Sequence, residues 1–122
     1  MFREMTIQIR VPSIDEGVKW YETVIGRHAD FIPHEGFSEW ELVPNCWLQV
    51  AEGEPAIGSG PIRVGISDME KELQRLELEL GVQEVEVFSR AEVPVKWCTF
   101  RDPWGNQFGY FQYKTDIKGM KK

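Results

Sequence analysis

A repeat with a period of 55 residues constrains this chain more than any other feature. In Thr6-Ile7-Gln8-Ile9-Arg10-Val11 the apolar residues Ile7, Ile9 and Val11 alternate with polar ones. The segment Pro61-Ile62-Arg63-Val64-Gly65-Ile66 repeats that alternation with Ile62, Val64 and Ile66. A period of two with one apolar face predicts a strand packed on one side. A helix follows each strand. Ile14, Val18, Tyr21 and Ile25 fall at i, i+4, i+7 and i+11, and Met69, Leu73, Leu76 and Leu80 repeat the stripe at the same offset. Such a stripe is one face of an amphipathic helix. Ser13 with Glu16 makes a capping box for the first helix, and Gly26 follows its last turn. Asp68 caps the second, with Ser67 and Glu70 as the alternative, and Gly81 follows it.

Each half then continues with three short strands, expected at 28–33, 37–43 and 46–51 and again at 83–88, 93–101 and 106–113. Gly36, Pro44-Asn45 and the turn Asp102-Pro103-Trp104-Gly105-Asn106 punctuate them. The whole chain, 1–122, reads as one domain: module one at about 5–52, a Gly/Pro-rich linker at 53–60, module two at about 61–113 and a tail at 114–122. One helix can cover only one face of a four-stranded sheet. The expected fold is therefore α+β, with paired βαβββ modules, two mixed four-stranded sheets enclosing a cleft, and helices outside. Thr6, Gln8 and Arg10 belong to the face turned away from the helix.

Composition excludes several classes of function. With 42% apolar and 28% charged residues the chain has an ordinary globular mix, and no apolar run reaches the roughly 20 residues of a membrane span. The first five residues lack a signal-peptide core, so a cytoplasmic location is expected. A net charge of −6, from 14 basic and 20 acidic side chains, argues against a nucleic-acid partner. The basic cluster Lys114, Lys118, Lys121 and Lys122 reads as a solvated terminus. Cys46 and Cys98 are too few and too scattered for a disulfide framework and read as small apolar side chains.

Two pieces, Ile9-Arg10-Val11 leading into Val18-Lys19-Trp20-Tyr21 and Phe100-Arg101-Asp102-Pro103-Trp104-Gly105-Asn106, together with the repeat, resemble the vicinal-oxygen-chelate superfamily. That superfamily contains glyoxalase I, extradiol dioxygenases, fosfomycin-resistance transferases and bleomycin-binding proteins. The resemblance covers about 5–113 and implies metal-ligand positions on the first and last strand of each module. Here those positions carry Thr6, Gln49, Pro61 and Gly109. Proline and glycine offer no side-chain donor, and threonine and glutamine are neutral, whereas divalent metals need several imidazole or carboxylate ligands. No metal and no other cofactor is expected. His28 and His34 lie outside the ligand strands and read as surface residues. No G-x-S-x-G elbow, phosphate-binding glycine loop or H-E-x-x-H motif is present, and neither cysteine has a histidine placed to activate it. Glu39 and Glu41 share a strand face, either as a general-base pair or as a solvated outer face between Trp40 and Leu42.

Parity along the strands suggests what the cleft binds instead. Trp47 shares a face with Gln49, Trp97 with Thr99, and Phe111 with Gly109, whose missing side chain is expected to leave room where the family's glutamate stands. Gln8, Arg10, Gln49 and Arg63 point the same way, and the arginines either pin a carboxylate or phosphate or pair with acidic neighbours. The expected ligand-binding set is thus Gln8, Arg10, Trp47, Gln49, Arg63, Trp97 and Phe111, with no catalytic residue singled out. Three readings remain. The first is a metal-independent protein that sequesters or carries a small aromatic or amphiphilic molecule, as the bleomycin-binding branch does. The others are an enzyme of the same fold (lyase, dioxygenase or isomerase) using non-standard cleft residues, and a structural or regulatory partner domain. Expected partners are a small organic ligand and a second copy in a homodimer, with no nucleic acid and no membrane. Titration with nickel or zinc, followed by heat and tryptophan fluorescence, should show no stoichiometric micromolar binding. Binding that disappears in Gln49→Ala would overturn this.

Overall fold

The repeat appears in the structure, a computed structural model that describes residues 1–56, 58 and 60–114, as two copies of one strand order in two compact units. The first unit is Met1–Ser59 with Asp102–Asn106, and the second is Gly60–Arg101 with the residues from Gln107 onward. The basic tail from residue 115 onward, and Ile57 and Ser59 of the linker, lie outside the described residues.

In the first unit β1 (Met5–Val11) runs parallel to β3 (Cys46–Glu52), and β2 (Phe37–Val43) lies antiparallel on the other side of β3. Helix α1 (Ile14–Ile25) starts where Ser13, itself extended, accepts a hydrogen bond from the Glu16 amide at 3.4 Å. It stops at Gly26, which takes the left-handed conformation (φ 91°) and donates its N–H to Glu22. Gly17 lies on the side facing β1, where a Cβ would stand 2.5 Å from a Val11 methyl. The helix thus approaches the strand closer than any larger residue permits. Tyr21, Trp40, Val11, Leu48 and Val50 make the buried core of this unit, each contributing about 1.5–3 kcal/mol through burial.

The second unit keeps the order, β4-β7-β6-β5, with β4 (Ile62–Gly65) parallel to β7 (Gln107–Tyr113) and β6 (Val95–Arg101) antiparallel to it. Helix α2 (Met69–Leu80) is capped by Asp68, which accepts from the Lys71 amide at 3.1 Å, and ends at Gly81 (φ 72°). Its first amide, that of Met69, donates to the Gln112 side chain of β7 at 2.8 Å.

Two expected strands are corrected. Residues 28–33 form no strand, so the first sheet has three strands rather than four. The segment's one strand-type pairing among the described residues is an isolated bridge, Phe31 with Glu39 of β2. The Asp30 carboxylate instead receives Arg27 and the Glu41 amide, both at 2.7 Å, and Pro33 has no N–H to extend a ladder. In the second half the strand expected at 83–88 shrinks to β5 (Val87–Ser89), because Glu84 adopts φ 57°, a left-handed conformation that ends extension. No helix among the described residues is long and apolar enough to cross a membrane.

The turn Asp102–Asn106 belongs to the first unit although β6 and β7 flank it. Asp102 Oδ1 accepts the amides of Trp104 and Asn106, both at 2.9 Å. Its Oδ2 accepts the Tyr21 hydroxyl at 2.7 Å and Asn106 Nδ2 at 2.8 Å. Asn106 Nδ2 also donates to the Arg10 carbonyl at 3.0 Å. Burial, and then the Asp102 charge and hydrogen bond, push the Tyr21 phenol well above the ordinary tyrosine value. A raised tyrosine pKa favours the folded state until pH passes the unfolded value of about 10, beyond which the unfolded chain alone sheds its proton. Tyr21→Phe should lower stability at neutral pH by about 1–3 kcal/mol and flatten the loss of stability above pH ~10. Urea denaturation at both pH values measures this, and an unchanged alkaline slope would count against it.

Candidate functional site

Each sheet leaves one face uncovered by its helix, and the expected site residues divide between the two faces. On the first sheet Gln8, Gln49 and Glu39 stand in one row across β1, β3 and β2. They are joined end to end. Arg10 Nε donates to Gln8 Oε1 at 3.1 Å, Gln8 Nε2 donates to Gln49 Oε1 at 2.6 Å, and Gln49 Nε2 donates to the Glu39 carboxylate. The row fixes which end of each amide faces which neighbour. Trp47 stands in the next row with Thr6 and Glu41, and its indole N–H donates to Glu4 at 2.6 Å. Glu39 and Glu41 therefore belong to the same face as Gln8 and Gln49, which corrects the solvated outer face considered for them. Their shared parity was in the sequence, whereas the register that sets Glu39 opposite Gln49 comes from the fold. Glu4, ahead of the strand, gave no signal.

On the second sheet the open face is aromatic. Gly65, Phe111, Trp97 and Phe88 align in one row across β4, β7, β6 and β5. The Phe88 and Trp97 rings stack with centroids 6.0 Å apart at 25°, and Tyr113 meets Phe111 edge-on at 6.1 Å. Phe111 lies over Gly65, where a Cβ would come within 2.9 Å of the ring. In the adjacent row Arg63 reaches across Gly109 and donates to Thr99 Oγ1 from Nε at 3.2 Å and from Nη2 at 2.8 Å. Arg63, Trp97, Phe111 and Tyr113 line a groove of about 580 Å³ walled by residues 93–95. Neither Arg10 nor Arg63 forms an ion pair with a carboxylate among the described residues. Three expected residues, Arg63, Trp97 and Phe111, thus converge on one groove. Gln8, Arg10, Gln49 and Trp47 share the other face. Tyr113 and the wall at 93–95 were missed, although Tyr113 has the parity of Phe111.

Burial pushes the Cys98 thiol up, against smaller opposing effects of the Tyr110 backbone and the Arg63 charge, so this cysteine stays protonated at neutral pH. His28, at the surface, is held above its ordinary value by its hydrogen bond to Glu22.

No family model matches the sequence, and no curated protein matches it. Solved structures do share its fold. A glyoxalase/bleomycin resistance protein from Catenulispora acidiphila superposes with a TM-score of 0.73 at 24% identity, over 89% of this chain and 96% of that one. A lactoylglutathione lyase from Agrobacterium tumefaciens gives 0.69 at 16%, over 90% and 92%. A fosfomycin resistance protein from Listeria monocytogenes gives 0.67 at 15%, over 92% of each. At these identities the likeness establishes the fold, which is the one the repeat and motifs anticipated.

The metal-ligand positions implied by the resemblance are Thr6, Gln49, Pro61 and Gly109, and the residues there do not fit a metal. Gln49 already spends its oxygen on Gln8 and its nitrogen on Glu39. Pro61 brings no donor. At Gly109 the expectation of free space is corrected, because a Cβ would stand 2.0 Å from the Cys98 carbonyl oxygen, on backbone that cannot swing aside. A glutamate cannot be restored there by substitution alone. Gly109→Ala should destabilise the protein by about 1–3 kcal/mol, readable as a lowered urea midpoint. A variant as stable as the parent would show that β6 and β7 can separate locally.

Proposed function

We propose that this protein binds a small flat organic molecule against the aromatic row of its second sheet, without a metal, to sequester or carry it. The carrying observation is the groove of about 580 Å³ in which Trp97, Phe111 and Tyr113 meet a guanidinium, Arg63, that lacks a carboxylate partner among the described residues. Aromatic faces bury ring area with little loss of side-chain entropy, and a few convergent polar groups fix orientation. Arg63 is held by Thr99 through two N–H groups, leaving its other N–H groups for a carboxylate, phosphate or carbonyl oxygen. The expected ligand is therefore an aromatic with an acidic or carbonyl substituent. Sequestration in the cytoplasm by a homodimer is the setting proposed for it. Among proteins of this fold, one named for bleomycin resistance and one for fosfomycin resistance support a role in handling small molecules.

A second reading has its own observation. The hydrogen bond from Gln49 to the Glu39 carboxylate, on the open face of the first sheet, supports a reading in which Glu39 serves as proton acceptor in an enzyme of the same fold. A lactoylglutathione lyase among the similar structures keeps that reading in view.

Calorimetric titration with planar aromatic carboxylates, in the presence of a chelator, tests the first reading. Saturable binding should weaken about tenfold or more in Trp97→Ala and Phe111→Ala. Arg63→Gln should weaken the carboxylates while sparing neutral analogues. Heat that survives Trp97→Ala, or binding seen only when the chelator is left out, would overturn it. Turnover abolished by Glu39→Gln with Trp97→Ala active would favour the second.

A further inference from the structure

A second groove, of about 480 Å³, runs between α2 and the chain that follows it and shares no lining residue with the aromatic one. Its floor is apolar. Met69 and Leu73 come from α2 one turn apart, and Val82, Val85 and Val87 come from the segment after Gly81. The groove exists because that segment is not the long strand its sequence suggests. Glu84 turns the chain at φ 57°, pairing starts only at Val87, and Leu73 of the core stripe stays half-exposed while its neighbours Met69 and Leu76 are buried.

The rim is acidic, and the acids on it are unmatched. Helix α2 carries Glu70, Glu72, Glu77 and Glu79. Arg75 lies against Glu72 at 2.9 Å and against Glu79 at 3.9 Å. Glu70 and Glu77, seven residues apart and so on one side of the helix, turn to the groove instead. Glu84 joins them from the opposite wall. None of these three has an ion-pair partner among the described residues. Lys96 is the one cation on the lining, against three carboxylates.

We propose that this groove binds a small amphiphilic cation, an alkyl- or arylalkylammonium ion, with its apolar body on Leu73, Val82 and Val85 and its ammonium among Glu70, Glu77 and Glu84. The apolar floor gains from covering surface now in water. The charge selects the sign of the headgroup, because an anion of the same body meets three like charges. The site is independent of the aromatic groove, whose arginine favours the opposite charge.

The test is a pair of probes with one body and opposite heads, hexylammonium and hexanoate, titrated into the full chain and followed by amide chemical shifts. Hexylammonium should give saturable shifts centred on Leu73, Gln74, Val82 and Val85, and hexanoate none that saturate there. The double variant Glu77→Gln, Glu84→Gln should weaken hexylammonium about fivefold or more, since each exposed ion pair is worth up to about 1 kcal/mol. The double variant Glu35→Gln, Glu54→Gln, at two exposed acids of the first unit, should leave affinity within about twofold and controls for net charge. The parent-like spectrum of each variant confirms folding. Equal affinity for both probes, shifts centred on Trp97 and Phe111, or equal effects of the double variant and the control would each overturn the proposal.

Discussion

Tyr21 and Asp102 lie 81 residues apart in the chain and meet in one buried hydrogen bond, with Tyr21 fully inside and Asp102 only 4% exposed. A carboxylate taken out of water costs several kcal/mol unless its oxygens are satisfied. Here four donors supply that: the phenol, two amides of its own turn and the Asn106 side chain. Asn106 then continues to the backbone of β1 through the Arg10 carbonyl. The turn between β6 and β7 is thereby held inside the first unit. Removing any one donor leaves the charge less compensated rather than neutral, so the arrangement tolerates little substitution.

Much of this was legible because period and capping are local. The stripes of α1 and α2, the caps at Ser13 and Asp68, and the glycine stops each follow from residues within a few positions of one another. The two missing strand lengths were not legible for an equally physical reason. At 28–33 the decisive events are the capture of Asp30 by Arg27 and by the Glu41 amide, contacts set by how β2 happens to approach. At 83–86 a glutamate takes a left-handed conformation that its sequence neighbours Gln83 and Val85 do not announce.

The candidate site was partly legible in the same sense. Parity placed Trp97 and Phe111 on one face and Gln8 with Gln49 on another, because alternation along a strand is fixed by the pleat. Space was not readable that way. Gly109 looked like room for a side chain, yet its absent Cβ is filled by the Cys98 carbonyl, a matter of interstrand distance that composition does not encode. Glycine at that position reflects close backbone approach rather than a pocket floor.

The two open faces differ in what a ligand must displace. On the first sheet each amide is already engaged: Arg10 with Gln8, Gln8 with Gln49, Gln49 with Glu39. A ligand seated there must break bonds that are already made, or content itself with the second N–H of each amide. On the second sheet the rings of Trp97 and Phe111 are half-exposed and Arg63 is exposed, joined only to a neutral hydroxyl. Covering those rings removes apolar area from water, and giving Arg63 a charged partner replaces one neutral acceptor by a stronger one. Because affinity is the surplus of new contacts over those surrendered, the aromatic face gains on both counts where the polar face must first lose. The same inequality explains why a face of linked glutamines is better suited to orienting the Glu39 carboxylate than to holding a ligand of its own.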